Sequence, residues 1–184
     1  PHTIEALIAI RDLADKLPNS LTEDEYKQLK SGDPEPIRSW LRFVASVGGK
    51  FDNGYERENG SDETTFVGYG KRNAQKQSPN LQGVKLINGS YEEHSDFKNS
   101  LIYCDPPYEG TSSYKTGTFD HPKFWNWCRK MRLNNVVFIS EYKAPDDFTC
   151  VWQGELKTNF ASQRKEATHK TVEKLFIHKF NLPN

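Results

Sequence analysis

The chain has 184 residues, with 25 basic and 25 acidic side chains, so its formal net charge at neutral pH is zero. Hydrophobic residues make up 35%, charged ones 27% and aromatics 12%, which predicts a lean core built on large rings and excludes wholesale disorder and a bulk polycation. No run approaches the roughly 18–20 apolar residues of a membrane helix and no secretory leader is expected, while Cys104, Cys128 and Cys150, odd in number and far apart, exclude a disulfide framework and suit a reduced cytoplasm.

Ile4, Leu7, Ile8 and Leu13 keep a helical period to about Lys16, and Pro18 ends that helix. Thr22 with Glu25 makes a capping box for a short helix through Leu29. Pro34 and Pro36 suit the first turn of a third helix, in which Ile37, Leu41 and Val44 form one stripe up to Gly48-Gly49. From Phe51 to about Gln82 the turn signals Asn53-Gly54, Asn59-Gly60, Gly68 and Gly70 predict an exposed loop and hairpin region. Val84 to Ile87 is a short strand candidate. Leu101 to Cys104 is an apolar run stopped by Asp105-Pro106-Pro107. Asp120 is the expected N-cap of a helix whose face carries Phe124, Trp127, Cys128 and Met131. Val136 to Ile139 reads as a strand buried on both faces, and Cys150 to Leu156 and Val172 to His178 as two more. Strands separated by helices predict an α/β fold.

Charge is unevenly placed. The first forty residues are net acidic. Between Gly68 and Lys85 stand Lys71, Arg72, Lys76 and Lys85 with no acid among them, and the tail adds Arg164, Lys165, Lys170, Lys174 and Lys179. Patches of this kind are the electrostatic footprint of a nucleic-acid binder. Arg42, Lys50, Arg57, Lys71 and Arg72 are the DNA-contact candidates. The histidines show no ligand spacing, so no metal is expected.

The feature that carries chemistry is Asp105-Pro106-Pro107-Tyr108 at the carboxyl end of a strand, where ligands bind in open α/β sheets. Pro106 and Pro107 fix φ and offer no competing N–H, so the carbonyls beside the Asp105 carboxylate point one way.

These four residues match the catalytic motif of amino-group DNA methyltransferases. The Ser100–Cys104 lead-in resembles that of the Dam-like adenine-specific group, and most of all its phage-borne members. So do Phe119-Asp120-His121-Pro122-Lys123-Phe124-Trp125, Asn135–Tyr142 followed by Ala144-Pro145-Asp146-Asp147-Phe148, and the ending Glu173–Ile177. Upstream, Arg42-Phe43 and Gly49-Lys50-Phe51 are similar to the group's Arg…Gly-x-Phe stretch. The resemblance implies a partial Rossmann-like methyltransferase sheet with helices, and S-adenosylmethionine as the methyl donor. It implies a flipped-out adenine in double-stranded DNA as the target, held by stacking on Tyr108. The adenine amino nitrogen is a poor nucleophile because its lone pair is delocalised into the ring; in the implied mechanism the Asp105 carboxylate and a carbonyl such as that of Pro106 draw its hydrogens out of the ring plane and free that pair.

Asn88-Gly89-Ser90-Tyr91 matches the segment beside the cofactor. Ser90, Tyr91 and Asp105 are therefore the cofactor candidates, and Asp105 to Tyr108 the catalytic set. Tyr114, Phe119 and Trp125 are candidates for the target pocket. The implied organisation is a helical segment at 1–39, a target-recognition region at 40–82 and a catalytic region at 83–184. The group's first strand and glycine-rich turn have no counterpart, since Gly68-Tyr69-Gly70 does not follow an apolar strand. Three alternatives follow: a piece of a longer enzyme, a strand supplied by another chain, or a DNA-binding relative without catalysis. RNA or protein glutamine as the target is disfavoured, because Asn rather than Asp usually precedes Pro-Pro-Tyr there.

Overall fold

The computed structural model describes residues 1–57, 65–109, 119–156 and 171–181. The chain divides into two compact units, Pro1–Gly89 and Ser90–Asn184. The architecture is mixed α/β: the described residues form five α-helices and a four-stranded mixed sheet. None of the described helices is long and apolar enough to cross a membrane.

The first unit is helical: α1 (His2–Leu13), α2 (Glu23–Leu29), α3 (Pro36–Val44) and α4 (Phe66–Leu81). The capping box read from Thr22 and Glu25 is present, and Pro36 opens α3 as expected. The core gathers Ala6, Ala9, Leu17, Tyr26, Trp40, Leu41, Val67 and Ala74. Alanines rather than the Ile4/Leu7/Ile8 stripe are the deepest residues of α1, because small side chains let it close on α3 and α4.

Three expectations are corrected here. The loop and hairpin region is helical from Phe66 to Leu81. Thr65 caps it, its hydroxyl accepting from Gly68 N at 2.9 Å. Gly70 is a packing requirement instead of a break, since a Cβ there would collide with Val44. Pro79 falls in the last turn, where it does least harm. Val84 to Ile87 forms no strand; β structure needs a ladder partner, and none of the described strands pairs with this stretch. The boundary expected at 39/40 cuts α3, which packs on α1, and the division expected at 82/83 lies at Gly89.

The second unit holds β1 (Leu101–Cys104), α5 (His121–Met131), β2 (Val136–Glu141), β3 (Phe148–Leu156) and β4 (Thr171–His178). The strand order is β1-β2-β4-β3. β1 and β2 are parallel, joined through α5, and the other neighbours are antiparallel. Asp120 caps α5, accepting from Lys123 N at 2.9 Å. The helix lays Phe124, Trp127, Cys128 and Met131 on Val137, Ile139 and Phe176. The buried Asn135 amide fixes the entry to β1: it donates to Phe97 O at 2.7 Å and Met131 O at 2.9 Å and accepts from Ser100 N at 3.1 Å. The opposite face of β1 carries Leu101 and Tyr103, 70% and 60% exposed. Val136 is exposed too, so β2 is not buried on both faces along its whole length.

Asp147 closes the base of α5. Arg129 donates to it at 2.6 and 2.9 Å, and His178 lies 3.3 Å away. The Arg129 hydrogen bond holds the Asp147 carboxyl at about 2, below its ordinary 3.8. Its folded value is depressed, so the stabilisation is present above pH 3.8 and is lost as pH falls through about 2. The side chain is about a third exposed, and solvent screening reduces the pair to about 1 kcal/mol. Urea unfolding of Asp147→Asn is therefore expected to show a deficit of that size at pH 7 that vanishes near pH 2. An unchanged midpoint at pH 7 would refute the assignment.

Candidate active site

Asp105 follows directly on β1, and Ser140-Glu141 closes β2 beside it, so the carboxyl ends of the two parallel strands meet at one edge. Asp105 is exposed, Pro106 is buried, and Pro107 and Tyr108 are half-buried. Two bonds pin this turn to β2. The Tyr108 hydroxyl shares a hydrogen bond with Ser140 Oγ, and Glu109 N donates to Glu141 Oε1 at 2.6 Å. The Tyr108 ring stands edge-on to Tyr142, with centroids 4.6 Å apart. Burial pushes the Tyr108 phenol up, so it stays protonated at neutral pH.

Glu141 is 1% exposed, and its Oε2 has no hydrogen-bond partner among the described residues. Burial raises its carboxyl above the ordinary range, while the N–H groups of Glu109 and Tyr142 pull the other way. Ser140 and Glu141 hold the turn that carries Asp105, a role that sequence reasoning did not assign them. Their one signal is a polar pair continuing a strand after the apolar run Val136 to Ile139.

On the other side of β1 a pocket of about 620 Å³ opens. Ile102 and Cys104 of β1, Phe124 and Trp127 of α5, Tyr91 and Phe119 line it, and Asp105, Pro106 and Pro107 form its rim. Tyr91 sits edge-on to Phe124 and Trp127 at 5.4 and 5.2 Å between centroids. Burial pushes its phenol up as well. The aromatic residues are fixed from behind: Trp127 Nε1 donates to Ser95 Oγ at 3.2 Å. The hydrogen bond to Cys104 and burial push the Cys128 thiol up, and it stays protonated behind the pocket.

The structure thus brings Asp105, Pro106, Pro107, Tyr91 and Phe119 to one cavity. Ser90 is not in its lining: it caps the turn Tyr91–His94 together with Glu93. Tyr108 is outside the lining too, turned toward β2 by Ser140. Trp125 packs on Phe148, 6% exposed, outside this lining; it lines a second pocket of about 370 Å³ together with Glu109, His121, Arg129 and Lys143. Tyr114, Arg164, Lys165 and Lys170 lie outside the described residues. Gly68-Tyr69-Gly70 belongs to α4 in the first unit and forms no turn after a strand. Among the described residues no group of three His, Cys, Asp or Glu gathers as for a metal.

The DNA-contact candidates divide sharply. Arg42 is corrected to a structural role: it is 6% exposed, its Nε donates to Asp52 at 2.8 Å, its Nη2 pairs with the same carboxylate, and it lies 4.3 Å over the Phe51 ring. Burial and the fork onto Asp52 commit its guanidinium to the fold. Arg57 is exposed but forked onto Glu23 at 3.1 and 3.1 Å. Lys50, Lys71 and Arg72 pair with no carboxylate among the described residues, and Arg72 lies 4.4 Å over the Tyr69 ring. No protein-family model matches the chain, and no curated protein matches it.

Proposed function

We propose that this chain is an adenine-specific DNA methyltransferase, or the greater part of one, with a Rossmann-like sheet and Asp105 as the acceptor that activates the target amine. One observation carries the reading: Asp105 stands at the carboxyl end of a parallel strand, on the rim of a pocket walled by aromatic rings.

The pocket fits S-adenosylmethionine by chemistry. Its size, about 620 Å³, lies within the ordinary range for small-molecule sites. The rings of Tyr91, Phe119, Phe124 and Trp127 suit a purine and a thioether chain, and aromatic faces with the Asp105 carboxylate suit a sulfonium. Tyr91 and Asp105 would hold it; Ser90 would act through the turn it caps. The cofactor, when bound, supplies an electrophilic methyl group.

The chain's own residues do the rest. The Asp105 carboxylate accepts a hydrogen bond from the adenine amine and pulls that hydrogen out of the ring plane. Pro106 and Pro107 stiffen the turn, so the carboxylate and the neighbouring carbonyl keep their directions. Ser140 and Glu141 tie the same turn to β2, which holds the acceptor in place before substrate arrives. A base inside a duplex cannot reach this turn and must be flipped out, which accounts for an open rim. β1 is the edge strand of the described sheet, and its free edge faces away from β2.

Incubation of the protein with methyl-tritiated S-adenosylmethionine and unmethylated duplex DNA is expected to place label in N6-methyladenine. A duplex with hypoxanthine in place of adenine should take up none. A cooperatively melting sample that labels neither duplex would overturn the reading in favour of a DNA-binding relative without catalysis.

A further inference from the structure

We infer that the outward face of α4 reads duplex DNA through the major groove. The inference deepens the DNA reading above and rests on it for the identity of the polymer. Its evidence is separate, because it lies wholly in the Pro1–Gly89 unit.

α4 runs sixteen residues without an acid, in a chain where Asp and Glu are 25 of 184. Its inner face is fixed. Val67 and Ala74 are buried, Gly70 fits under Val44 and Trp40, and Ser78 donates to Arg11 O at 2.9 Å. Gln75 donates to Asp15 at 2.9 Å. The helix is therefore a rigid rod seated on α1 and α3.

Its outer stripe is Tyr69, Arg72, Asn73, Lys76 and Asn80, spaced i, i+3, i+4, i+7 and i+11, and all five are exposed. At a rise of about 1.5 Å per residue this stripe is roughly 16 Å long, close to five base-pair steps of about 3.4 Å. A helix about 10–12 Å across enters a major groove about 12 Å wide.

The chemistry of the stripe separates it from an ordinary solvated face. Arg72 and Lys76 have no ion-pair partner among the described residues, whereas Arg42 and Arg57 are both matched by carboxylates. The Tyr69 ring supports the Arg72 guanidinium at 4.4 Å and holds its flat donor fork along the helix surface. That fork matches guanine O6 and N7, the Asn73 and Asn80 amides match adenine N6 and N7, and Lys76 matches a phosphate. The partner is B-form DNA and not double-stranded RNA, whose deep, narrow major groove does not admit a helix.

The test is fluorescence anisotropy of the full chain on a pool of labelled DNA duplexes, without S-adenosylmethionine, over a salt series. Lys76→Ala should weaken binding about equally on all sequences and lower the salt slope by about one. Arg72→Ala and Asn73→Ala should flatten sequence preference at separate base pairs, each by about tenfold. Lys27→Ala, which removes the same charge from α2, should bind as wild type. All these positions are exposed, so melting temperatures should hold and a folding defect is visible where it occurs. Wild-type affinity and salt slope in Arg72→Ala/Lys76→Ala overturn the inference, as does equal competition by an RNA duplex of the same length. Loss of binding in these variants with no methyl transfer by the wild type keeps the inference and removes the enzyme. Methyl transfer with unaffected binding does the reverse.

Discussion

Asp105→Ala is expected to lower methyl transfer to duplex DNA by about 10²–10³-fold, the cost of removing one preorganised hydrogen-bond partner from a reacting centre. Its effect on folding should be slight. Asp105 is exposed, and among the described residues it makes no hydrogen bond or ion pair, so its replacement belongs with surface substitutions, within about 0.5 kcal/mol. DNA affinity should stay within about twofold, because the α4 stripe is intact. Asp105→Asn keeps one carbonyl acceptor but loses the charge, and should fall between alanine and wild type. Radiolabel transfer, a thermal melt and anisotropy on the same preparations check all three statements. Alanine activity within tenfold of wild type would remove Asp105 from the chemistry, and a collapsed melt would make its role structural.

Much of the second unit was legible in the sequence because each signal there is local and agrees with its neighbours. Asp120 before Pro122, the face Phe124/Trp127/Cys128/Met131 and the run Val136 to Ile139 each point to one element, and the β1–α5–β2 order follows. Asp105 was legible for the same reason, as two prolines after an apolar run leave few conformations open. α4 was not. Gly68, Gly70 and Pro79 are breakers by local propensity, and only the approach of α3, with Val44 and Trp40 over Gly70, turns one of them into a requirement. Val84 to Ile87 failed in the opposite sense: a run with strand propensity found no ladder.

The polar members of the site were hidden by their distance along the chain. Glu141 reads as a surface carboxylate, and its burial becomes evident only when the turn at Glu109 returns to β2, 32 residues away. Asn135 likewise looks like a turn residue. It is an anchor because Phe97 O, Met131 O and Ser100 N converge on one amide. Both cases share a cause. A polar group is buried only with partners, and pattern along a chain does not show the partners.

Arg42 carries that lesson into the second large prediction. As a basic residue it is a DNA-contact candidate in the sequence, yet it forks onto Asp52, with side-chain exposures of 8% and 21%. The Arg42 hydrogen bond holds the Asp52 carboxyl below its ordinary range. Asp52→Ala strands a buried guanidinium and is expected to cost the Pro1–Gly89 unit about 3 kcal/mol, the low end for a broken buried pair because Asp52 keeps some contact with water. Backbone strain adds to this: Asp52 has φ 57°, a conformation that Asp and Asn tolerate better than Ala. Asp52→Asn avoids that strain and isolates the charge. It should cost less than Asp52→Ala but remain clearly destabilised. Arg42→Met/Asp52→Asn leaves no unpaired charge and should recover part of the loss. Denaturant unfolding orders the three variants. The recovered double variant then answers the functional question, since its fold is intact and Arg42 is gone. Its salt slope on duplex DNA should match wild type, whereas a slope lower by about one would return Arg42 to the phosphate backbone.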